Sequence, residues 1–340
     1  MVSNIKCSQQ AYSDKQDTWY NFYMKVLDIN NLSLGFNTEN GFKEALWDVS
    51  FSLEEGKTLA LVGESGCGKS VSAMSILKLL PKTAKITSGS IIYRGKNLLD
   101  LDDKSMQGIR GKKIALIPQD PMTSLNPLYT VGNQLLEVIK IHQGLTGKEA
   151  LQKAIEAFDA VQIPSAKERL KSYPHEFSGG MKQRAIIAMA LACQAEILIA
   201  DEPTTALDVT IQAQIMDLMR NIKQENNTAI LLITHDLALV KENADNVCVM
   251  YSGRIAESAP ADKFFANPSH PYSIALLNSL PANRGKLLET IQGQPPSIDQ
   301  IITGCRFHPR CKNVFEPCSD NVPELREIEP QHLCACHLVK

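Results

Sequence analysis

Residues 24–29, 32–36 and 46–53 read as strands separated by turn residues, and Glu55-Gly56 breaks the pattern before a new run at 58–62. That run, Thr-Leu-Ala-Leu-Val, is short, apolar and bounded by glycine on both sides, which predicts a fully buried, parallel strand. Helical periodicity follows over 70–80 and stops at Pro81. Further strands are expected at 90–93, 114–117, 197–200, 229–233 and 247–251, the last of them before a Ser-Gly turn. A helix over 209–224 separates two of the buried strands. Strands alternating with helices predict an α/β core with a mainly parallel sheet. Residues 128–190 are helical by pattern, broken at Ile163-Pro164 and near Tyr173-Pro174, and read as a helical insertion in that core. Residues 1–22 read as a polar, poorly ordered arm, and after Pro260 prolines and cysteines mark a separate tail.

Composition narrows the class. The chain has 340 residues, with 35 Lys+Arg against 37 Asp+Glu, so its net charge of −2 excludes a protein held to nucleic acid by charge alone. At 44% hydrophobic and 21% charged residues it can bury an ordinary core without disulfides. The most apolar run, 185–200, contains Gln194 and Glu196 and falls short of the ~20 apolar residues a membrane span needs. The first 20 residues carry no apolar stretch of signal-peptide type, so a cytoplasmic chain is expected. Five of nine cysteines follow residue 304, which in a reducing compartment points to a metal site before a disulfide framework.

Gly63-Glu64-Ser65-Gly66-Cys67-Gly68-Lys69-Ser70 matches G-x-x-x-x-G-K-[ST] between an expected strand and an expected helix. Glycines let backbone N–H groups turn inward as an anion nest at a helix N-terminus, Lys69 supplies charge for the β- and γ-phosphates, and the Ser70 hydroxyl suits Mg²⁺. Cys67 reads as a small loop residue rather than a reactive thiol. The apolar run 197–200 ends in Asp201-Glu202. At a strand C-terminus Asp201 suits Mg²⁺, and Glu202 suits a water attacking the γ-phosphate.

Three further stretches carry a resemblance: Ser178-Gly179-Gly180-Met181-Lys182-Gln183-Arg184 before the acidic strand, Pro118-Gln119 after one strand, and Thr234-His235-Asp236 after another. Taken singly, each is an ordinary loop or a partly buried histidine. In this order, over about residues 24–280, they resemble the nucleotide-binding subunit of ABC transporters. The resemblance implies a P-loop α/β fold of ABC type, with a mainly parallel core, an antiparallel β part and a helical subdomain at about 120–190. It implies an ATP sandwich dimer in which Ser178, Gly179, Gly180 and Met181 meet the ATP held by the partner. By the same resemblance, Gln119 touches Mg²⁺ and the attacking water. His235 contacts the γ-phosphate and orients Glu202, and Ala206, Leu207 and Asp208 form the loop crossing the dimer interface. An aromatic residue stacks on adenine, Phe36 with Phe42 as the alternative. Met181 stands where most of the family has glutamine, a variant similar to that of peptide importers.

The tail carries Asn267-Pro268-Ser269-His270-Pro271-Tyr272, Leu280-Pro281 and Gly304-Cys305-Arg306-Phe307-His308-Pro309-Arg310-Cys311. This resembles the C-terminal extension of the dipeptide/oligopeptide importer ATPases, which also serves some nickel systems. The expected divisions are an arm at 1–22, an ATPase domain at 23–265 and a Cys-rich extension at 266–340. Four clustered thiolates can hold zinc or an iron–sulfur cluster, and none of the spacings is C-x₂-C. The resemblance favours a [4Fe–4S] cluster on Cys305, Cys311, Cys318 and Cys336, with Cys334 the ambiguous member and zinc the alternative. It implies an ATP hydrolase at the cytoplasmic face of the membrane, working with two permease subunits, a solute-binding protein and a second, related ATPase chain. Import of another solute, such as a nickel chelate, is the first alternative. A soluble ABC ATPase acting on nucleic acid is the second, disfavoured because only 107 residues separate Ser70 from Ser178, too few for a long coiled-coil insertion.

Overall fold

The computed structural model describes residues 25–279, 291–300 and 302–339; the expected N-terminal arm, Met24 and Leu280-Pro281 lie outside them. Strands run in chain order as β1 Lys25–Thr38, β2 Gly41–Glu54, β3 Thr58–Val62, β4 Ala84–Tyr93, β5 Lys96–Asn97, β6 Ile114–Ile117, β7 Ile197–Asp201, β8 Ala229–Thr234, β9 Asn246–Tyr251, β10 Arg254–Pro260, β11 Arg326–Glu329 and β12 His332–Cys334. One antiparallel sheet has the order β2-β1-β4-β5. The other has eight strands, β11-β12-β10-β9-β3-β8-β7-β6, parallel from β9 to β6.

The two strands expected at 24–29 and 32–36 are one strand, β1, with a register shift between Ile29 and Leu32. Asn31 takes a left-handed φ of 51°, its N–H bonds the Ser50 hydroxyl at 2.8 Å, and its amide bonds Asp48 at 2.6 Å. A bulge with side-chain partners lets pairing resume beyond the break.

β7 and β8 are buried on both faces, and alternate residues serve different cores. Leu198, Ala200, Ile230 and Leu232 pack with Leu135, Ile139, Ala154 and Phe158 of the helical insertion, built mainly from helices Val131–Gln143, Gly147–Ala160 and Gly179–Ala192. Ile197, Ile199, Leu231 and Ile233 pack with Leu27, Leu34 and Leu46 of the antiparallel sheet. Each such side chain contributes about 1.5–3 kcal/mol of burial, which is why these runs read as continuously apolar.

Two expectations are corrected. The strand at 247–251 is not the last, because Ser252 and Gly253 (φ 44° and 79°) turn the chain directly into β10. Two consecutive positive φ values give the tight turn whose twist suits a hairpin. The segment after Pro260 is not separate from the core either, since β12 pairs with β10 and β11 with β12. The join is stapled by Glu257, fully buried on β10. Its carboxylate lies 2.7 Å from His332 Nε2 and accepts the N–H groups of Ser269 and His270 at 2.8 and 2.9 Å. Tyr272, Phe307 and Phe264 complete a third core against Val62, Val249 and Tyr251.

Buried His270 accepts the Tyr272 N–H at Nδ1, and burial pulls its pKa down to about 4 although Glu257 opposes this. In the unfolded chain the same imidazole protonates near 6.5. Between these values the unfolded chain binds a proton that the folded one does not. The stability is therefore full above ~6.5 and falls by up to about 3 kcal/mol as the pH drops toward ~4. Denaturant unfolding at pH 7 and pH 4.5 should show this loss in the wild type and a smaller one in His270→Gln; equal losses would contradict it.

Candidate functional site

The loop 63–70 leaves the buried end of β3 and enters helix Lys69–Ile76 with Gly68 as its N-cap. A Cβ at Gly63 would stand 2.2 Å from the Met250 carbonyl oxygen; at Gly68, where φ is +108°, it would meet Leu46 Cδ2 at 2.4 Å. Only glycine lets the loop sit this close to β9 and β2. Lys69 is 5% exposed, and its ammonium donates to the carbonyls of Gly63 and Glu64 at 2.7 and 2.9 Å. Its third neighbour is Cys67 Sγ at 3.6 Å. Burial pushes the Cys67 thiol up despite Lys69, so it stays protonated and packs rather than reacts.

A cavity of about 220 Å³ opens on this loop, lined by Phe36, Ser65, Gly66, Gly68, Lys69, Ser70, Gln119 and Glu202. Phe42 is not among its lining residues. A larger hollow of about 570 Å³ nearby shares Trp47 and Arg306 but none of the phosphate-loop residues.

Parallel register brings the ends of β6, β7 and β8 to the same edge as the end of β3. Asp201 is 1% exposed, and its two carboxylate oxygens are buried beside the Ser70 hydroxyl, with no hydrogen bond of good geometry to any described group. Burial raises its pKa, the Ser70 hydroxyl and Lys69 lower it, and Glu202 raises it. A buried carboxylate with free oxygens beside a serine hydroxyl is a donor set for a hard divalent cation. Glu202 is held at φ +47°, with its N–H on the Ile233 carbonyl at 2.8 Å. That backbone costs about 1–3 kcal/mol and turns the side chain into the cavity. There its carboxylate lies 3.3 Å from His235 Nδ1 and accepts the Thr205 hydroxyl at 3.2 Å.

Ser178, Gly179, Gly180 and Met181 do not line this cavity. Ser178 caps helix Gly179–Ala192, accepting the Met181 N–H at 3.2 Å, and a Cβ on Gly180 would lie 3.3 Å from the Ala206 carbonyl. Leu207 packs beside the same helix, and Asp208 caps helix Val209–Asn226 through the Ile211 N–H at 3.0 Å. The stretches 178–181 and 206–208 thus form one surface apart from the chain's own phosphate loop.

Sequence reasoning missed the part the tail plays here. Pro296, Ser297, Ile298 and Arg306 line the cavity, and Arg310 forks onto the Glu64 carboxylate at 2.5 and 3.0 Å. The signal lay in the stretch 304–311, where the cysteines drew the reading and the arginines between them did not. Burial pushes the Cys305 thiol up to about 11 and raises those of Cys311 and Cys336, with neighbouring thiols adding to each rise. Cys334 is buried beside Glu257. Among the described residues no group of three or more His, Cys, Asp or Glu could hold a metal ion.

With this geometry in hand, two family models match: "ABC transporter" over residues 46–205, and "Oligopeptide/dipeptide transporter, C-terminal region" over 256–318. The chain is 50% identical over 315 residues to a probable peptide ABC transporter ATP-binding protein y4tR of Sinorhizobium fredii, covering 92% of this chain and 94% of that one. The chain belongs to the ABC transporter family. This ABC transporter chain is also 47% identical to the oligopeptide transport ATP-binding protein OppD of Salmonella typhimurium, over 92% of this chain and 93% of the relative. It is 48% identical to the dipeptide transport ATP-binding protein DppD of Bacillus subtilis, over 92% and 95%. Among solved structures it resembles the dimeric post-hydrolysis state of the ATP-binding cassette MJ0796 bound to ADP and Pi. That likeness has a TM-score of 0.63 at 26% identity, over 69% of this chain and 98% of that one.

Gly63→Ala tests the loop geometry, because the obstructing atom is backbone of β9 and cannot swing aside. Nucleotide affinity should fall by at least about tenfold, the equivalent of 1.4 kcal/mol, when fluorescent ATP is titrated. Unchanged affinity would contradict the close packing.

Proposed function

We propose that this chain binds and hydrolyses ATP to drive import of dipeptides or oligopeptides through a separate membrane permease. The observation that carries the reading is the meeting of the phosphate loop, Asp201-Glu202 and His235 at one sheet edge, in a chain whose tail matches the oligopeptide/dipeptide transporter region. That tail favours transport over a soluble ABC ATPase, and the relatives' peptide names favour peptides over a nickel chelate. Among the described residues no helix is long and apolar enough to cross a membrane, so the permease belongs to other chains. The chain then works from the cytoplasmic face, with two permease subunits and an extracytoplasmic solute-binding protein.

In this reading the loop N–H groups and Lys69 hold the phosphates, and Phe36 stacks on adenine. Ser70, Asp201 and Gln119 would hold Mg²⁺, which when bound would supply neutralisation of phosphate charge. Glu202 accepts a proton from, or orients, the water in line with the γ-phosphate. His235 keeps the Glu202 carboxylate aimed through the 3.3 Å contact. Because Ser178–Met181 stand apart from the chain's own loop, ATP is completed by the signature stretch of a second ATPase subunit, with Ala206–Asp208 crossing between them. A related chain rather than a second copy is our reading of that partner. Binding closes the pair, hydrolysis reopens it, and the permease follows the motion.

Glu202→Gln should reduce turnover by about 10²–10⁴ in the assembled complex while leaving equilibrium ATP binding intact. Turnover near wild type would remove Glu202 from this role.

We read Cys305, Cys311, Cys318 and Cys336 as ligands of a [4Fe–4S] cluster that ties the extension together. Support comes from the four cysteines falling in one stretch, Cys305 to Cys336, of an extension that begins in the region matched to the oligopeptide/dipeptide transporters; among the described residues their side chains are not gathered as a metal site. The raised thiol pKa values mean that metal loading must release protons. Anaerobically prepared protein should carry about four irons per chain, lost on replacing Cys336 with serine and kept on replacing Cys334. Absence of iron, or stoichiometric zinc, would overturn the reading.

A further inference from the structure

Glu64, the second residue of the phosphate loop, is held by the tail at both its backbone and its side chain. Its N–H donates to Tyr272 Oη at 2.9 Å. Its carboxylate receives the Arg310 guanidinium as a fork, Nη1 to Oε2 at 2.5 Å and Nη2 to Oε1 at 3.0 Å. Arg310 is itself fixed on every side. Nε donates to the Gln292 carbonyl at 2.9 Å, Nη2 to the Gly293 carbonyl at 3.2 Å and Nη1 to Tyr251 Oη at 3.3 Å. Its side chain is 6% exposed and that of Glu64 25%. This is no loose surface pair. A forked guanidinium with its remaining donors spent on carbonyls has one orientation, and it imposes that orientation on the carboxylate it meets.

Two consequences reach the phosphate site. First, the Glu64 carbonyl is one of the two acceptors that aim the Lys69 ammonium, so fixing Glu64 fixes the lysine. Second, Glu64 places a negative charge in a loop whose task is to receive polyphosphate. Among the described residues the Arg310 guanidinium is the ion-pair partner of that carboxylate. The rest of the segment supports the same contact. Phe307 is buried with its ring 5.1 Å from Tyr251 and 5.3 Å from Tyr272, and Arg306 lies 3.3 Å over the Trp47 ring at the cavity wall. Both arginines sit within the turn that carries Cys305 and Cys311.

We propose that Arg310 is a positioning residue for ATP: it neutralises Glu64 and locks the phosphate loop in its anion-binding form, which makes the C-terminal extension a working part of the nucleotide site. This rests on the reading of the cavity as an ATP site, and it assigns to the extension a task distinct from its cysteines.

The experiment is ATP titration and steady-state turnover on the full chain in its assembled complex, with Arg310→Gln, Arg310→Lys, Arg310→Gln/Glu64→Gln and Lys69→Ala. Arg310→Gln leaves a partly buried carboxylate unpaired beside the loop and should weaken ATP binding about tenfold at low salt. Saturating ATP should recover kcat to within about threefold, because the contact is the same in the ground and transition states. Arg310→Lys keeps the charge without the fork and should fall between. The double variant removes the stranded charge and should bring affinity back to within about threefold of wild type. A weak double variant means that Arg310 merely holds the fold, and it overturns the proposal, as does an Arg310→Gln variant with unchanged affinity. Lys69→Ala separates the two readings. If it weakens ATP binding while Arg310→Gln does not, only the clamp is lost; if it too leaves binding unchanged, the ATP reading itself fails.

Discussion

A buried ammonium with no carboxylate against it governs the architecture around the phosphate loop. Lys69 is 5% exposed, and its hydrogen bonds go to two main-chain carbonyls and a thiol. An unpaired buried cation is costly in an apolar interior, so the loop must bend back far enough to offer its own carbonyls. That bend requires glycine at 63 and 68, where β9 and β2 leave no room for a Cβ. The bend in turn requires strands rigid enough to hold it. β3 supplies this by lying between β8 and β9 in continuous parallel register. A site that strongly favours polyanions is thus built from backbone geometry, with the sheet as its brace.

The opposite charge is handled by separation. Asp201 is taken deep, where burial favours its neutral form, while Glu202 is twisted outward by a left-handed backbone. Adjacent carboxylates on one extended strand would point to opposite faces; the turn at Glu202 brings the second one to the cavity that Lys69 lines, with His235 Nδ1 3.3 Å from it. Two acids therefore have two environments, one suited to a hard cation and one to a water. The surface made by residues 178–181 and 206–208 stands apart from both.

Much of this was legible because it is local. A strand, a glycine-rich turn and a helix start within fifteen residues specify an anion nest, and the acidic pair ends a run whose apolar continuity reveals burial on both faces. What could not be read depends on partners far along the chain. β10, Arg-Ile-Ala-Glu-Ser-Ala-Pro, has a charged residue in the middle that argues against a core strand until His332 is seen 2.7 Å from Glu257. β11 and β12 are four and three residues long and have no pattern of their own. The bulge in β1 hid one strand as two, since Asn30-Asn31 looks like a turn unless Ser50 and Asp48 are there to satisfy it. The spacing of Cys305, Cys311, Cys318 and Cys336 was visible in the sequence, whereas what their segment touches was not.

The extension shows why long-range contacts matter for function as well as for fold. Arg310 and Glu64 are 246 positions apart, and nothing near either residue in the chain calls for the other. Read alone, Glu64 is a variable position in a phosphate loop and Arg310 a surface arginine among cysteines. Their fork is possible because β12 adds to β10 and carries the extension back over β9, whose Tyr251 packs on both Tyr272 and Phe307. The same aromatic cluster that covers the sheet edge thereby delivers one hydroxyl and one guanidinium to a single loop residue. A change in the cysteine-bearing turn has a short physical path to the phosphate site: through Arg310 to the Glu64 carboxylate, and through the Glu64 carbonyl to Lys69.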